Sequence, residues 1–368
     1  MKKISIITLH AVHNYGSALQ AYATQRIFEE LGLDAQIIDY RRKAILPKTI
    51  LSILRSSEYS LVQKAKLILI KPSTNKSQKV FERFLQKNLS MTVQRYTYDE
   101  DFLKNPIKAD IFCTGSDQVW NSDWHDGIPE PFYLSFVPDA VPKIAFSASF
   151  GKSELADWEK EKTKELLSRY KAISVREKSG VTILQNLGIE NAELVLDPTQ
   201  IAAPQTWFDL APAQKRKKPY VLIYQLCNNR AFDRAAVNFS KEKGLELVRL
   251  CTRYDQLRKP GKGAVLPEVE EFLSLIRDAE YVLTDSFHCT SFSLIFHKKF
   301  VCFHPNRFST RLESILQIVG LGERMMNDDI DAEIIDRPID YSVVDQILDA
   351  QRQKGLEFLR KAVLDAPT

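Results

Sequence analysis

Ile4-Ser5-Ile6-Ile7-Thr8-Leu9 is a short, nearly all-apolar run, and its pairing with the next two segments decides the fold. A polar turn, His10-Ala11-Val12-His13-Asn14-Tyr15-Gly16-Ser17, leads into residues 17–31. There Leu19, Tyr22, Ala23, Ile27 and Leu31 recur at helical spacing and stop at Gly32. Residues 35–40 are strand-like again. Strand, amphipathic helix, strand is a βαβ unit, and a βαβ unit implies a parallel sheet covered by helices.

The alternation continues outward. Residues 110–113, 143–147, 172–175 and 192–196 read as strands, and 155–170 and 179–187 as helices. Asp197-Pro198 interrupts the pattern, and 211–219 reads as a polar linker. A second series begins beyond it, with strands at 220–225, 245–251, 280–283 and 300–303 and helices at 231–243, 269–277 and 287–296. The expected architecture is α/β, with two Rossmann-like domains facing a cleft. Their expected bounds are 1–205, carrying a basic helical insertion at 41–104, and 206–342. A final helix within 343–368 should pack back on the first domain.

Over 368 residues, 44% hydrophobic and 27% charged content is that of a globular protein. The net charge of +4 is too small to point to nucleic acid. No run approaches the roughly 18 apolar residues of a membrane span, and the N-terminus lacks a signal-peptide pattern. Cys113, Cys227, Cys251, Cys289 and Cys302 show no CxxC or CxH spacing, which argues against a disulfide framework and a structural zinc. A reduced, cytoplasmic protein is expected, with the cysteines as small buried hydrophobes.

Residues 41–79 differ from the rest. They hold Arg41, Arg42, Lys43, Lys48, Arg55, Lys64, Lys66, Lys71, Lys76 and Lys79 against one acid, Glu58, interleaved with Ile45, Leu46, Ile50, Leu54, Leu61, Val62 and Leu69. Such a stretch suits a helical subdomain with a solvated basic face. It also suits salt-sensitive contact with an anionic membrane surface.

Four turns carry candidate chemistry. Thr284-Asp285-Ser286-Phe287-His288 stands between a strand and a helix, where open α/β sheets place ligands and where a helix N-terminus favours anions. His288 there suits acid/base work. In the first turn Gly16 permits a sharp bend, and Asn14 or Ser17 can cap the helix. The absence of GxGxxG excludes a dinucleotide fingerprint. Asp117, Gln118 and Trp120, in Gly115-Ser116-Asp117-Gln118-Val119-Trp120-Asn121, suit a sugar pocket of carboxylate, amide and aromatic platform. Arg176 at a strand end, and Arg311 at a helix start, suit a carboxylate or phosphate.

Six segments in collinear order resemble the polysaccharide pyruvyl transferase family. They are residues 13–23, 115–121, 147–151, Val175-Arg176-Glu177, Leu196-Asp197-Pro198-Thr199 and 284–288. The resemblance implies a GT-B-like fold. It implies transfer of pyruvate from phosphoenolpyruvate onto two hydroxyls of a sugar, giving a cyclic ketal, in exopolysaccharide or capsule assembly. The acceptor would be a lipid-linked oligosaccharide met as a peripheral protein at the inner face of the cytoplasmic membrane, with no metal or cofactor. It gives His288 the catalytic role and Arg176 a place in donor binding with Ser286 and Phe287. Ser286-Phe287 stand where many relatives carry Arg-Leu, so Arg311 is expected to supply the missing charge. The acceptor is expected near Asn14, Tyr15, Gly16, Asp117, Gln118 and Trp120. Two other functions fit the same pattern: a nucleotide-sugar glycosyltransferase of this fold, and a non-catalytic scaffold of a polysaccharide assembly complex.

Overall fold

The computed structural model describes residues 1–42, 49–56, 59–213, 216, 218–304 and 310–364, and in it the two alternating series form two parallel six-stranded sheets. The first comprises β1 (Lys3–Ile7), β2 (Asp34–Ile37), β3 (Ile111–Thr114), β4 (Lys143–Ala148), β5 (Ala172–Val175) and β6 (Ala192–Leu194), in the order β2-β1-β3-β4-β5-β6. The second comprises β7 (Tyr220–Tyr224), β8 (Glu246–Cys251), β9 (Lys262–Val265), β10 (Tyr281–Thr284), β11 (Lys299–Phe303) and β12 (Met325–Met326), in the order β12-β11-β10-β7-β8-β9. Strand order reverses between β1 and β3 in one sheet and between β7 and β10 in the other, which is where such sheets open a crevice. Every residue of β3, β4, β7 and β10 is buried, so these central strands read as mostly apolar runs without alternation, Lys143 and Ser147 of β4 being buried with the rest.

The edge strands β9 and β12 have no counterpart in the sequence pattern. β9 is Lys262-Gly263-Ala264-Val265 and β12 only Met325-Met326; neither is long or apolar enough to register alone, and each is ordered by its neighbour. Parts of three sequence assignments lie outside the described residues: Lys43, Ile45, Leu46, Lys48 and Glu58 of the basic segment; Gln214, Lys215 and Lys217 of the linker; and Pro305, Asn306, Phe308 and Ser309 before Arg311.

The insertion contributes α2 (Ile50–Arg55) and α3 (Leu61–Asn88), which extends the α1 (Tyr15–Glu30) layer. Ser60 and Gln63 start α3 with a capping box, in which Gln63 N–H donates to Ser60 Oγ and Ser60 N–H to Gln63 Oε1. Its second half buries Val80, Phe81, Phe84 and Leu85 in the core. Arg41 is not a solvated base. It is buried against Asp39, at 2.6 Å, and Glu82, and so ties α3 to the end of β2.

One apolar core runs through both halves. Tyr15, at the start of α1, stacks on Phe272 at 4.7 Å, meets Phe81 at 5.1 Å and donates its hydroxyl to Pro267 O at 2.8 Å. Trp207 meets Phe292 edge-on at 5.0 Å. The terminal helix Tyr341–Leu364 returns to the first half and passes close to it: a Cβ on Gly355 would fall 2.6 Å from Ile201 Cδ1, so a larger residue there would have to shift that side chain. Four of the five cysteines are buried and Cys227 is half-buried.

Because Tyr15 joins the halves, Tyr15→Ala should cost about 3–5 kcal/mol in urea unfolding, the range for a deleted core aromatic. Tyr15→Phe, which orphans only the Pro267 carbonyl, should cost about 1 kcal/mol. Equal costs for the two would show that the hydroxyl, not the stacked ring, holds the interface.

Candidate active site

The polar turns named from sequence all lie beyond carboxyl ends of parallel strands, and the two sheets turn these ends toward each other. Asn14 comes after β1, Ser116-Asp117-Gln118 after β3, Arg176-Glu177 after β5, Asp197 after β6, and Ser286-Phe287-His288 after β10. Asn14 caps α1 by accepting from Gly16 and Ser17 N–H at 2.9 and 3.3 Å. Ser286 caps the Phe287–Ile295 helix by accepting from Cys289 N–H at 3.3 Å. Two helix N-termini therefore converge. They touch at Gly16, where an added Cβ would lie 1.9 Å from His288 Nδ1. Any side chain at position 16 would displace the histidine ring.

Beneath the cleft lies a buried ionic cluster. Arg176, 6% exposed, donates from Nη1 to Asp197 Oδ2 at 2.6 Å and from Nη2 to Asp117 Oδ1 at 3.0 Å, and its Nε lies 3.7 Å from Glu177 Oε2. Ser116 Oγ donates to Asp197 Oδ2 at 3.1 Å, and Ser17 Oγ to Asp117 Oδ2 at 2.5 Å. His288 Nε2 stands 3.7 Å from the same Asp197 oxygen, which is ion-pair range but too long for a hydrogen bond, and it has no hydrogen-bond partner. Burial would raise both aspartates. In Asp197 the His288 and Arg176 charges and the Thr199 N–H outweigh burial and hold the carboxyl below its usual range. In Asp117 the Arg176, His288 and Arg311 charges and the Ser17 hydroxyl do the same. Asp117 also holds φ at 76°, a left-handed conformation of the kind that functional sites retain.

The cleft above this cluster measures about 260 Å³ and is lined by Leu9, Val12, Asn14, Ser17, Asp117, Gln118, Trp124, Leu226, Ser286, Phe287, His288 and Arg311. The structure thus brings together Asn14, Asp117, Gln118, Ser286, Phe287, His288 and Arg311 of the sequence-derived candidates, with Gly16 directly behind the histidine. Three candidates lie elsewhere. Trp120 is fully buried, its indole N–H bonded to Phe132 O at 3.1 Å, because it stacks in the core under the sheet. Tyr15 is 1% exposed in the inter-sheet core. Arg176 does not face the cleft as an anion ligand, because three carboxylates already occupy its guanidinium.

Three contributors to the site carry little sequence signal. Trp124, 46% exposed, presents the aromatic surface expected of Trp120. It lies a helical turn after the strand-end motif, where its spacing resembles that of any surface aromatic. Ser17 and Asp197 fall in segments that carry the family resemblance, but by themselves they read only as a cap and as a break in the pattern. Arg311 lies over Phe287, with Cζ 5.7 Å from the ring centroid. Arg176 lies 5.6 Å from the same ring. Burial and the nearby Arg176 charge push the Arg311 guanidinium down, and its Nε has no hydrogen-bond partner. A larger cavity of about 540 Å³ is lined by Lys76, Lys262, Glu268 and Glu271 among others. It shares no residue with the cleft, and none of its lining side chains carries a buried, unpartnered polar atom.

Asp197→Asn would take one of three carboxylates from Arg176, which keeps Asp117 and Glu177, and should cost about 1.5–3 kcal/mol, the range for a hydrogen bond to a charged group. The wild-type carboxyl is depressed on folding. Its contribution is therefore complete above its unfolded pKa of about 4 and is lost as the pH falls below that. Unfolding curves should show the wild-type advantage at pH 7 and its narrowing below about pH 4. A gap that does not change with pH would remove the charge from the argument.

The family profile of polysaccharide pyruvyl transferases matches residues 14–306. No curated protein matches the chain. Among solved structures, the UDP-GlcNAc 2-epimerase of Methanocaldococcus jannaschii in complex with UDP-GlcNAc and UDP is similar with a TM-score of 0.50 and 13% identity, covering 98% of this chain and 99% of that one. The UDP-GlcNAc 2-epimerase of Neisseria meningitidis bound to UDP-GlcNAc has a TM-score of 0.50 and 9% identity, covering 99% and 100%. At these identities the likeness establishes the fold alone: two Rossmann-like domains of the GT-B kind. The profile match spans most of the chain, from Asn14 in the first strand-end turn past His288, and by it the chain belongs to the polysaccharide pyruvyl transferase family.

Proposed function

We propose that the cleft transfers the pyruvate unit of phosphoenolpyruvate onto two hydroxyls of a sugar, with His288 as the acid/base. The observation that carries this reading is His288 Nε2. It is buried and without a hydrogen-bond partner, 3.7 Å from Asp197, in a cleft that also holds Arg311. The donor carries a carboxylate and a phosphate. With Arg176 neutralised by its carboxylates, the anion falls to Arg311 and to the N-terminus of the Phe287–Ile295 helix. The amides of Phe287 and His288 have no intrahelical partner there, and no other described residue bonds them.

The chemistry balances with three proton transfers, which leave one hydroxyl proton on the new methyl group and the other on phosphate. Protonation of the methylene carbon leaves an oxocarbenium-like C2, which one sugar hydroxyl attacks while losing its proton. Breaking the C2–O bond to phosphate regenerates the cation, which the second hydroxyl closes to the ketal; its proton leaves with phosphate. His288 gives the first proton and takes one back, with Asp197 stabilising its charged form. Ser286 and Phe287 set the donor against the ring. Asn14, Gln118 and Trp124 lie on the facing side for the sugar, with Asp117 between. We assign the acceptor to a lipid-linked oligosaccharide of surface polysaccharide assembly.

Phosphate release should require both phosphoenolpyruvate and a sugar from a panel of galactose, mannose and hexosamine acceptors. Turnover of nucleotide sugars without phosphoenolpyruvate would favour a glycosyltransferase instead. His288→Ala should lower the rate about 10²–10⁴-fold while melting as wild type; a rate within a few-fold would sink the assignment. Arg311→Ala should weaken donor binding in calorimetry by about 1.5–3 kcal/mol. Unchanged affinity would remove Arg311 from the donor site.

A further inference from the structure

The two halves of α3 pack differently: the first lies against α2, where Lys64 Nζ donates to Leu54 O at 2.8 Å, and the second lies on the core. From Ser73 onward it packs on the core through Ser73, Ser77, Val80, Phe81, Phe84 and Leu85, and Lys76 Nζ donates to Val265 O at 2.7 Å. Residues 61–72 extend beyond these anchors for about 18 Å. Along them Leu61, Ala65, Leu69 and Pro72, spaced four, four and three residues apart, form one exposed stripe, with Val62 beside it. Leu61, Val62 and Leu69 are 84%, 79% and 74% exposed. Ile50 and Leu54 of α2, the helix packed against α3, are about half exposed, while Ile53 is turned inward. Large aliphatic side chains concentrated this way mark a surface built to be covered.

Charge says what covers it. The stripe is flanked by Arg55, Lys64, Lys66 and Lys71. Between Asp39 and Glu82 the only acid in the chain is Glu58, which lies outside the described residues. Glu82 itself is committed to Arg41. A second copy of this arm would bring these cations together around the apolar contact, so self-association is disfavoured. An anionic surface with an apolar interior satisfies both features. No described helix is long and apolar enough to cross a membrane.

We propose that α2 and the first half of α3 form an interfacial anchor that docks on anionic lipid, the stripe entering the headgroup boundary and the lysines staying at the surface. The inference rests on the proposed function for its purpose, delivery of the cleft to a lipid-linked acceptor, and is measured without it. Full-length protein is sedimented with vesicles of phosphatidylcholine alone or mixed with phosphatidylglycerol, at low and high salt. Binding should require phosphatidylglycerol and fall with salt. It should weaken about tenfold or more in Leu61→Ser/Leu69→Ser and in Lys64→Glu/Lys66→Glu. All these residues are exposed or half-buried, so both variants should melt as wild type and release phosphate at the wild-type rate with a soluble acceptor. Loss of vesicle binding with solution activity intact separates the anchor from the chemistry. The proposal is overturned by no binding to anionic vesicles at low salt, by equal binding to neutral vesicles, or by variants that bind as wild type. It is equally overturned by a lipid-free dimer that the Leu61→Ser/Leu69→Ser variant dissolves, which would assign the stripe to a second copy.

Discussion

A guanidinium held out of water among three carboxylates is the constraint around which this site is built. Arg176 reaches Asp117 after β3, Asp197 after β6 and its own neighbour Glu177, so one side chain fixes the ends of three strands. Removing Arg176 would leave Asp117, Asp197 and Glu177 buried without their shared counter-charge. Its consequence crosses the molecule. Asp197 is at once the partner of Arg176 and the carboxylate nearest His288, which belongs to the other half of the chain. The histidine of the second half thus stands within ion-pair range of the cluster that fixes the strand ends of the first.

The second control on that position is steric. α1 and the Phe287–Ile295 helix meet N-terminus to N-terminus, and the approach is close enough that only glycine fits at position 16. Tyr15, one residue earlier, locks the same helix end into the inter-sheet core by stacking on Phe272. Adjacent residues thus perform opposite tasks: one fills the space between the halves and the next vacates it. Two positive helix ends sharing one cleft favour an anion there. Arg176, although the most conspicuous cation from sequence, is neutralised from behind, which leaves Arg311 and the helix dipole to supply the field.

Much of this is written in local sequence. Mostly apolar runs mark the central strands, and helical spacing marks α1 and the Phe287–Ile295 helix, because these elements bury their faces wherever the rest of the chain goes. The strand-end location of Asn14, Asp117, Arg176 and His288 comes from the same alternation. The edge strands β9 and β12 are invisible there, since they are too short and too weakly apolar to be strands without a neighbour.

Composition and periodicity therefore determined the architecture and the set of polar turns. The tertiary structure decided what each turn residue does, because burial depends on partners far away in the chain. Trp120 and Trp124 are four residues apart and chemically identical. One fills the core beneath the first sheet, and the other stands half exposed at the cleft. Arg176 is the stronger anion-ligand candidate in the sequence and Arg311 the weaker, yet Asp117 and Asp197, brought in by separate strands, form ion pairs with Arg176. The basic segment divides in the same way. Arg41 is buried by pairing with Asp39 and Glu82, whereas Leu61 and Leu69 remain outside, because only the second half of α3 reaches the core.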